Sequence, residues 1–310
     1  MYHIIINPAA RSHQGELVWK NIVEPYLMKQ KVEYISYFSK KPGDIAKLAA
    51  SISCNATSHA KKHIILLGGD GTFNEMLQGI HDFSGIILSY IPIGSSNDLA
   101  RDLAIPTDTM EAVKRAVFTG TSHQMDIGCV TFKDQTKRYF AVSCGAGFDA
   151  AVCEETNRSV FKRALNRIGL GKLAYLTIAI KQLFFAKSLS CQVTLDHKSP
   201  FIINKYLFLT GMIHRYEGGG FAFCPKAKYA DGLLDICSVA TQLPKFIFLL
   251  ILPTAFWGKH YCFPGIEPYR ARRIHLKCSS PVWIHTDGEV LRYDDELTIS
   301  CQKQVLTMKF

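Results

Sequence analysis

The 310-residue sequence has no apolar run long enough to cross a bilayer. Its most apolar window, Phe246 to Trp257, is bounded by Pro244 and broken by Pro253, well short of the ~20 residues a spanning helix needs. It is expected to be a buried or interfacial segment. The ten cysteines include no C-x-x-C pair and no Cys/His cluster at zinc spacing, which excludes a zinc module and argues against the disulfide framework of a small secreted chain. A reduced, cytosolic protein with free cysteines is the expectation. The opening MYHIIINPAARSHQ has neither the basic start nor the long apolar stretch of a secretory signal, so secretion is not supported. There is no internal repeat and no low-complexity tract. At 48% hydrophobic and 20% charged residues the composition is that of a folded globular protein, and its length suits about two domains.

Acidic residues are scarce in one region. The chain has 36 Lys and Arg against 26 Asp and Glu, a net charge of +10. Between Arg158 and Lys187 stand seven basic residues and no acidic one, interleaved with Phe161, Leu165, Ile168, Leu173, Tyr175 and Leu176. Such a stretch is either a docking face for an anionic membrane or a solvated helix face over a core. Nucleic acid is not expected as a partner.

The first 125 residues alternate β-branched runs (Tyr2–Ile6, Val32–Phe38, His63–Leu67, Ile86–Ile91) with amphipathic stretches near 16–29, 44–53, 72–80, 97–103 and 108–118. This order predicts an α/β fold with a mainly parallel sheet, whose binding crevice lies beyond the carboxyl ends of its strands. From about Met125 the pattern changes to many strand-like runs, among them Arg138–Ser143, Leu189–Leu195, Lys205–Met212, Leu234–Ala240, Arg273–Lys277 and Val282–His285, with helical insertions around 150–180 and 245–257. A second, antiparallel β domain is predicted, giving domains 1–124 and 125–295. The strand-like 296–310 is free to return to either.

The unusual sequences fall at the predicted strand ends. In HIILLGGDGTFNEMLQGI, Gly68, Gly69 and Gly71 permit positive φ and close backbone approach, so amides at the start of a helix near Thr72 can cradle phosphate. No G-K-[ST] follows, and Asn74 stands where a dinucleotide fingerprint has its third glycine. Asp70 inside an anion-binding loop would repel phosphate unless it holds a metal or positions a hydroxyl. One strand later, Gly94, Ser95, Ser96, Asn97 and Asp98 repeat the arrangement, with Arg101 close behind. Asp126 adds a carboxylate at the predicted domain junction, where a turn aspartate is the alternative. Asp287-Gly288-Glu289 follows a strand-like run and reads as a cleft carboxylate pair or as a hairpin turn. Gly145-x-Gly147-x-x-Ala150 formally satisfies a Rossmann pattern, but no acidic residue follows from Thr156 to Val193 to hold a ribose. The eleven histidines show no ligand spacing and are assigned no chemistry.

Taken in order, Asn7-Pro8, Gly68 to Glu75 (G-G-D-G-T-x-N-E), Pro92 to Asp98, Gly145 to Asp149, Gly218 to Phe221 with Pro225, Asp231 to Asp235 and Asp287 to Glu289 resemble the diacylglycerol kinase catalytic-domain family, in particular its bacterial soluble lipid kinases. Ser95 replaces the family's Thr and keeps the hydroxyl. The first loop alone is also similar to NAD kinases and phosphofructokinases; the later motifs separate the lipid kinases from them. The resemblance implies an NAD kinase- and phosphofructokinase-like ATP-binding domain and a β-sandwich-like lipid domain. It implies ATP and Mg2+, nucleotide contacts from Asn7, Gly68, Gly69, Gly71, Thr72, Asn74, Glu75, Gly94, Ser95, Ser96, Asn97 and Asp98, and metal ligation through Asp70, Asp98, Asp126 and Asp231. Asp287 is implied as the general base, with Glu289 beside it, while Asp70 bears the base in the related sphingosine kinases. The implied reaction is phosphorylation of a membrane lipid, diacylglycerol first, a sphingoid base or phosphatidylglycerol otherwise. A cytoplasmic protein at the inner membrane face, with a possible homodimer, completes the expectation; a non-catalytic nucleotide or lipid sensor is the rival from another class.

Overall fold

The computed structural model describes residues 1–54, 56–158, 171–186 and 189–310. In the first third, β1 (Tyr2–Ile6), β2 (Tyr34–Phe38), β3 (Lys62–Gly68) and β4 (Ile86–Pro92) pair in parallel in the order β2-β1-β3-β4. Their apolar runs fit a sheet covered on both faces: Ile4, Ile5, Ile6, Ile64, Ile65, Leu66 and Leu67 are all buried. Helices such as Asp44–Ser53 and Asp70–Leu77 supply the covering residues Ile45, Ala49, Phe73 and Met76.

The later strands run antiparallel: β5 (Ser122–Phe132), β6 (Lys137–Phe140), β7 (Ser143–Gly147), β8 (Leu189–Leu195), β9 (Phe201–Met212), β10 (Leu234–Ala240), β11 (Ile266–Ala271), β12 (Arg273–Thr286) and β13 (Glu289–Lys309). β12 forks, one end pairing with β8 and the other with β7, and a second apolar cluster including Val130, Phe140, Leu209, Ile274 and Leu297 fills this half. β13 begins beside β12 and ends beside β4, where Thr307 pairs in parallel with Ile87. One strand thus stitches the antiparallel half to the parallel one.

One expectation is corrected here. Cys191 and Cys278 occupy facing positions on β8 and β12 and form a disulfide, while the other eight cysteines form none. Their separation of 87 residues left no local spacing to read. The basic stretch falls largely on residues 159–170 and 187–188, outside the described residues. Of its members that are described, Arg158 pairs with Glu154 and Lys181 with Glu155, so neither offers an uncompensated charge. No helix among the described residues is long and apolar enough to cross a membrane.

Candidate active site

The first loop closes β3 and opens the helix Asp70–Leu77. The amides of Asp70, Gly71 and Thr72 have no acceptor within their own helix, the anion-receptive arrangement of any helix start. The Thr72 hydroxyl oxygen is the local clamp, accepting from the Gly69 amide at 3.3 Å and from Asn7 Nδ2 at 2.9 Å, which ties the end of β1 to the loop. None of Gly68, Gly69, Gly71 and Gly94 adopts positive φ, so conformational freedom is not what these positions require. Space is. A Cβ on Gly94 would lie 2.8 Å from Gly69 Cα and 2.7 Å from Asn97 Oδ1, and one on Gly71 would lie 3.0 Å from Glu289 Oε1.

The second loop follows β4. Ser95 and Ser96 are exposed at its tip, and Asn97 is left-handed with φ of 51°. Asn97 donates to the Gly94 carbonyl at 2.9 Å, which closes the turn that leads into Asp98. The Asp98 amide then donates to Asp70 Oδ2 at 3.0 Å, while Asp98 itself accepts from Gly219 N–H at 2.7 Å and from Arg101 at 2.7 Å. Burial pushes the Asp98 carboxyl above its ordinary range. Asp70 is raised further, to about 6, by burial first and then by the Asp98 and Asp287 carboxylates. Its Oδ1 is buried without a hydrogen-bond partner.

Asp287 and Gly288, with φ of 50° and 81°, are the two central residues of the hairpin joining β12 to β13, in which Thr286 faces Glu289. Two successive left-handed residues make a type I′ turn, so Asp-Gly here is a turn residue pair as well as a site. The Asp287 carboxylate is saturated. Oδ1 accepts from Val142 N–H at 2.8 Å and Ser143 N–H at 2.9 Å; Oδ2 accepts from Ala141 N–H at 2.9 Å and Asn74 Nδ2 at 2.8 Å. Asn74 is wholly buried and also accepts from Arg138 at 2.9 Å, so it links the glycine-loop helix to the hairpin rather than facing a ligand. Glu75 accepts from the Ile45 amide at 2.9 Å and caps the helix Asp44–Ser53.

The structure therefore groups Asn7, the two glycine loops, Asp70, Asp98, Asp287 and Glu289. It puts Asp126 and Asp231 elsewhere. Asp126 accepts from Gly232 N–H and Gln304 N–H, both at 2.6 Å. Asp231 accepts from Leu233 N–H at 3.1 Å and pairs with Arg270. Among the described residues no three His, Cys, Asp or Glu side chains converge as a metal cage. Each oxygen of Asp98, Asp126 and Asp231 already accepts one partner. Of the four carboxylates expected as metal ligands, Asp70 alone has an oxygen, Oδ1, without a hydrogen-bond partner.

Sequence reasoning missed a buried trio behind the hairpin. His285 Nε2 lies 3.3 Å from both Asp149 Oδ2 and Glu217 Oε1, and Gly288 N–H donates to its Nδ1 at 3.1 Å. Against the cost of burial, Glu217 and Asp149 raise the His285 ring to about 9, while a proton on Nδ1 would set N–H against N–H at Gly288. Burial raises the Glu217 carboxyl to about 7, so the trio acts as one group that shares its proton. The one local signal was Gly145, where a Cβ would fall 2.0 Å from Asp149 and 2.3 Å from His285.

The chain matches the family described as "Diacylglycerol kinase catalytic domain" over residues 1–130 and that described as "YegS C-terminal NAD kinase beta sandwich-like domain" over residues 142–308. It is 31% identical over 301 residues to a Bacillus subtilis (strain 168) protein named "Putative lipid kinase YtlR", covering 94% of this chain and 93% of the other. The chain belongs to the diacylglycerol kinase catalytic-domain family. A Mycobacterium tuberculosis (strain CDC 1551 / Oshkosh) protein named "Diacylglycerol kinase" is 27% identical over 247 residues, 80% of this chain and 76% of its own. In fold, the chain is similar to the crystal structure of "a putative diacylglycerol kinase from Bacillus anthracis str. Sterne", with a TM-score of 0.77 at 22% identity over 100% of this chain and 94% of that one.

Proposed function

We propose that the protein is an ATP-dependent kinase that transfers the γ-phosphate to the free hydroxyl of diacylglycerol, giving phosphatidic acid, with residues 1–124 as the nucleotide half and 125–295 as the lipid half. The observation that carries this reading is a single junction. Asp149 faces the His285–Glu217 pair behind the hairpin, while its neighbour Phe148 lines an apolar cleft together with Leu183, Phe208, Val239, Phe248 and Ile251. The buried trio behind the Asp-Gly hairpin and an apolar cleft thus meet at two adjacent residues, Asp149 and Phe148. Cleft walls of this kind are suited to fatty acyl chains.

In this reading the amides of residues 70–72 and the exposed hydroxyls of Ser95 and Ser96 hold the nucleotide phosphates, which arrive as the Mg2+ complex. Asp70 Oδ1, the open oxygen of a carboxyl poised near 6, takes the proton from the acceptor hydroxyl; a base with that affinity is mostly ionised at neutral pH yet still basic enough to be useful. Asp287 has no spare lone pair for that task and acts as an anchor, fixing the hairpin that carries Glu289 over Gly71. Most of the rate comes from positioning and charge stabilisation, as in phosphoryl transfer generally.

The test is incubation with γ-labelled ATP and a panel of diacylglycerol, sphingosine, phosphatidylglycerol, NAD and soluble sugars. Label in phosphatidic acid supports the proposal; label confined to a sphingoid base or phosphatidylglycerol corrects the acceptor; label in NAD or sugars overturns it.

A further inference from the structure

The segment Lys245–Trp257, a helix to Ile251 and a tighter helical turn beyond it, is apolar on two opposite faces. Phe248, Ile251 and Ala255 point inward and are buried, lining the cleft described above. Phe246, Leu250 and Trp257 point outward, 58%, 73% and 71% exposed, with Pro253 exposed between them. Phe246 and Leu250, four residues apart, share one face of the helix, and Pro253 and Trp257 continue the exposed row on the tighter turn. Lys245 Nζ donates to the carbonyl oxygens of Phe184 and Ala186, which brings the exposed Phe184 and Phe185 alongside. Phe256, also exposed, continues the patch.

Ordinary soluble surfaces carry single apolar residues, not rows of Phe, Leu and Trp. The charge around this row has one sign. From Ile236 to Ile266 there is no Asp or Glu, and the cations are Lys245 and Lys259. Outward aromatic and aliphatic side chains flanked along the chain only by lysines, of which Lys259 is exposed, match an anionic lipid–water interface, where Trp and Phe sit at headgroup depth and cations meet lipid phosphates. A second copy of the chain would cover apolar surface equally well but would set lysines against lysines.

We propose that the outer face of Lys245–Trp257, with Phe184 and Phe185, docks on an anionic bilayer, so that lipid passes from the membrane beneath this segment into the apolar cleft on its inner side. The passage of lipid rests on the kinase reading above; the docking does not, and vesicle binding measures it without turnover.

The experiment uses the full chain with phosphatidylcholine vesicles containing or lacking phosphatidylglycerol, read by co-sedimentation and by quenching of tryptophan fluorescence with brominated acyl chains. Trp257 is exposed, Trp19 is buried and Trp283 is half-buried, so wild type minus Trp257→Phe isolates the reporter. The expected result is binding that needs phosphatidylglycerol, quenching of Trp257, and partitioning that falls by about 100-fold in Phe246→Ser/Leu250→Ser, about tenfold for each apolar side chain withdrawn. Both substituted residues are exposed, and an unchanged melting temperature shows that the variant is folded. Unchanged partitioning of the double variant overturns the proposal. So does a wild-type dimer in sedimentation equilibrium that the same variant converts to monomer, since the face then belongs to a second copy.

Discussion

Replacing Asp287 by Asn tests the anchor assignment with little geometric disturbance. The change keeps the size of the side chain, and Asn-Gly is among the best pairs for a type I′ turn, so the hairpin itself is not penalised. The loss is in acceptors. Asp287 receives three backbone amides and Asn74, two donors on each oxygen. In Asn one of those oxygens becomes an NH2 group, which faces two N–H donors and can accept from neither. Each largely buried donor left without a partner costs about 1–3 kcal/mol, so Asp287→Asn is expected to lose about 2–6 kcal/mol, a large share of the ~5–15 kcal/mol by which native proteins are usually stable. Urea unfolding followed by circular dichroism reads this as a lower midpoint with an unchanged slope. If the midpoint stays within experimental scatter of wild type while turnover collapses at normal ATP affinity, Asp287 is the base and the anchor reasoning is wrong.

Three other outcomes follow from the same contacts. Asp70→Asn should slow transfer by about 10²–10⁴-fold yet raise stability above pH 6: its folded-state carboxyl is raised from 3.8 to about 6, so ionisation costs the folded protein up to about 3 kcal/mol, a penalty that sets in between pH 4 and 6 and vanishes in the variant. Melting curves at pH 4 and pH 7.5 check the sign, and equal shifts at both would refute it. Glu217→Gln removes a carboxyl raised from 4.5 to about 7, so the variant's melting temperature relative to wild type should climb from pH 5 to pH 8; a flat difference would place the proton of the trio elsewhere. Gly94→Ala puts a methyl group against the Gly69 backbone, which cannot move aside as a flexible side chain would; calorimetry should show nucleotide affinity reduced about tenfold or more, and wild-type affinity would mean that the two loops do not share the phosphate site.

Much of this architecture was legible locally. The apolar runs Tyr2–Ile6, Leu189–Leu195 and Leu234–Ala240 and the amphipathic Asp44–Ser53 appear with the bounds the sequence suggests, because turn residues or polar breaks close them. What was not legible depends on distant chain. Arg273–Lys277 and Val282–His285 read as two strands because Ser279, Ser280 and Pro281 interrupt the pattern, yet a bulge against β13 keeps them one. At the site, the motif residues Asn74 and Glu75 were expected to touch nucleotide and instead spend their polar atoms on Asp287 and the Ile45 amide. Asp126 was expected beside Asp70 but is drawn to Gly232 and Gln304. His285 carries no periodic signal of its own. It matters only because folding brings Asp149 and Glu217 to its ring.

The central claim is transfer of the ATP γ-phosphate to a lipid hydroxyl with Asp70 as the proton acceptor. A single measurement confronts it: γ-labelled ATP and diacylglycerol in mixed micelles, with wild type and Asp70→Asn side by side and the organic phase resolved by chromatography. The account predicts labelled phosphatidic acid from wild type, at a rate rising with pH through about 6, and a rate lower by about 10²–10⁴-fold from Asp70→Asn. Equal labelling by the two proteins, or label that never leaves the aqueous phase, would contradict it.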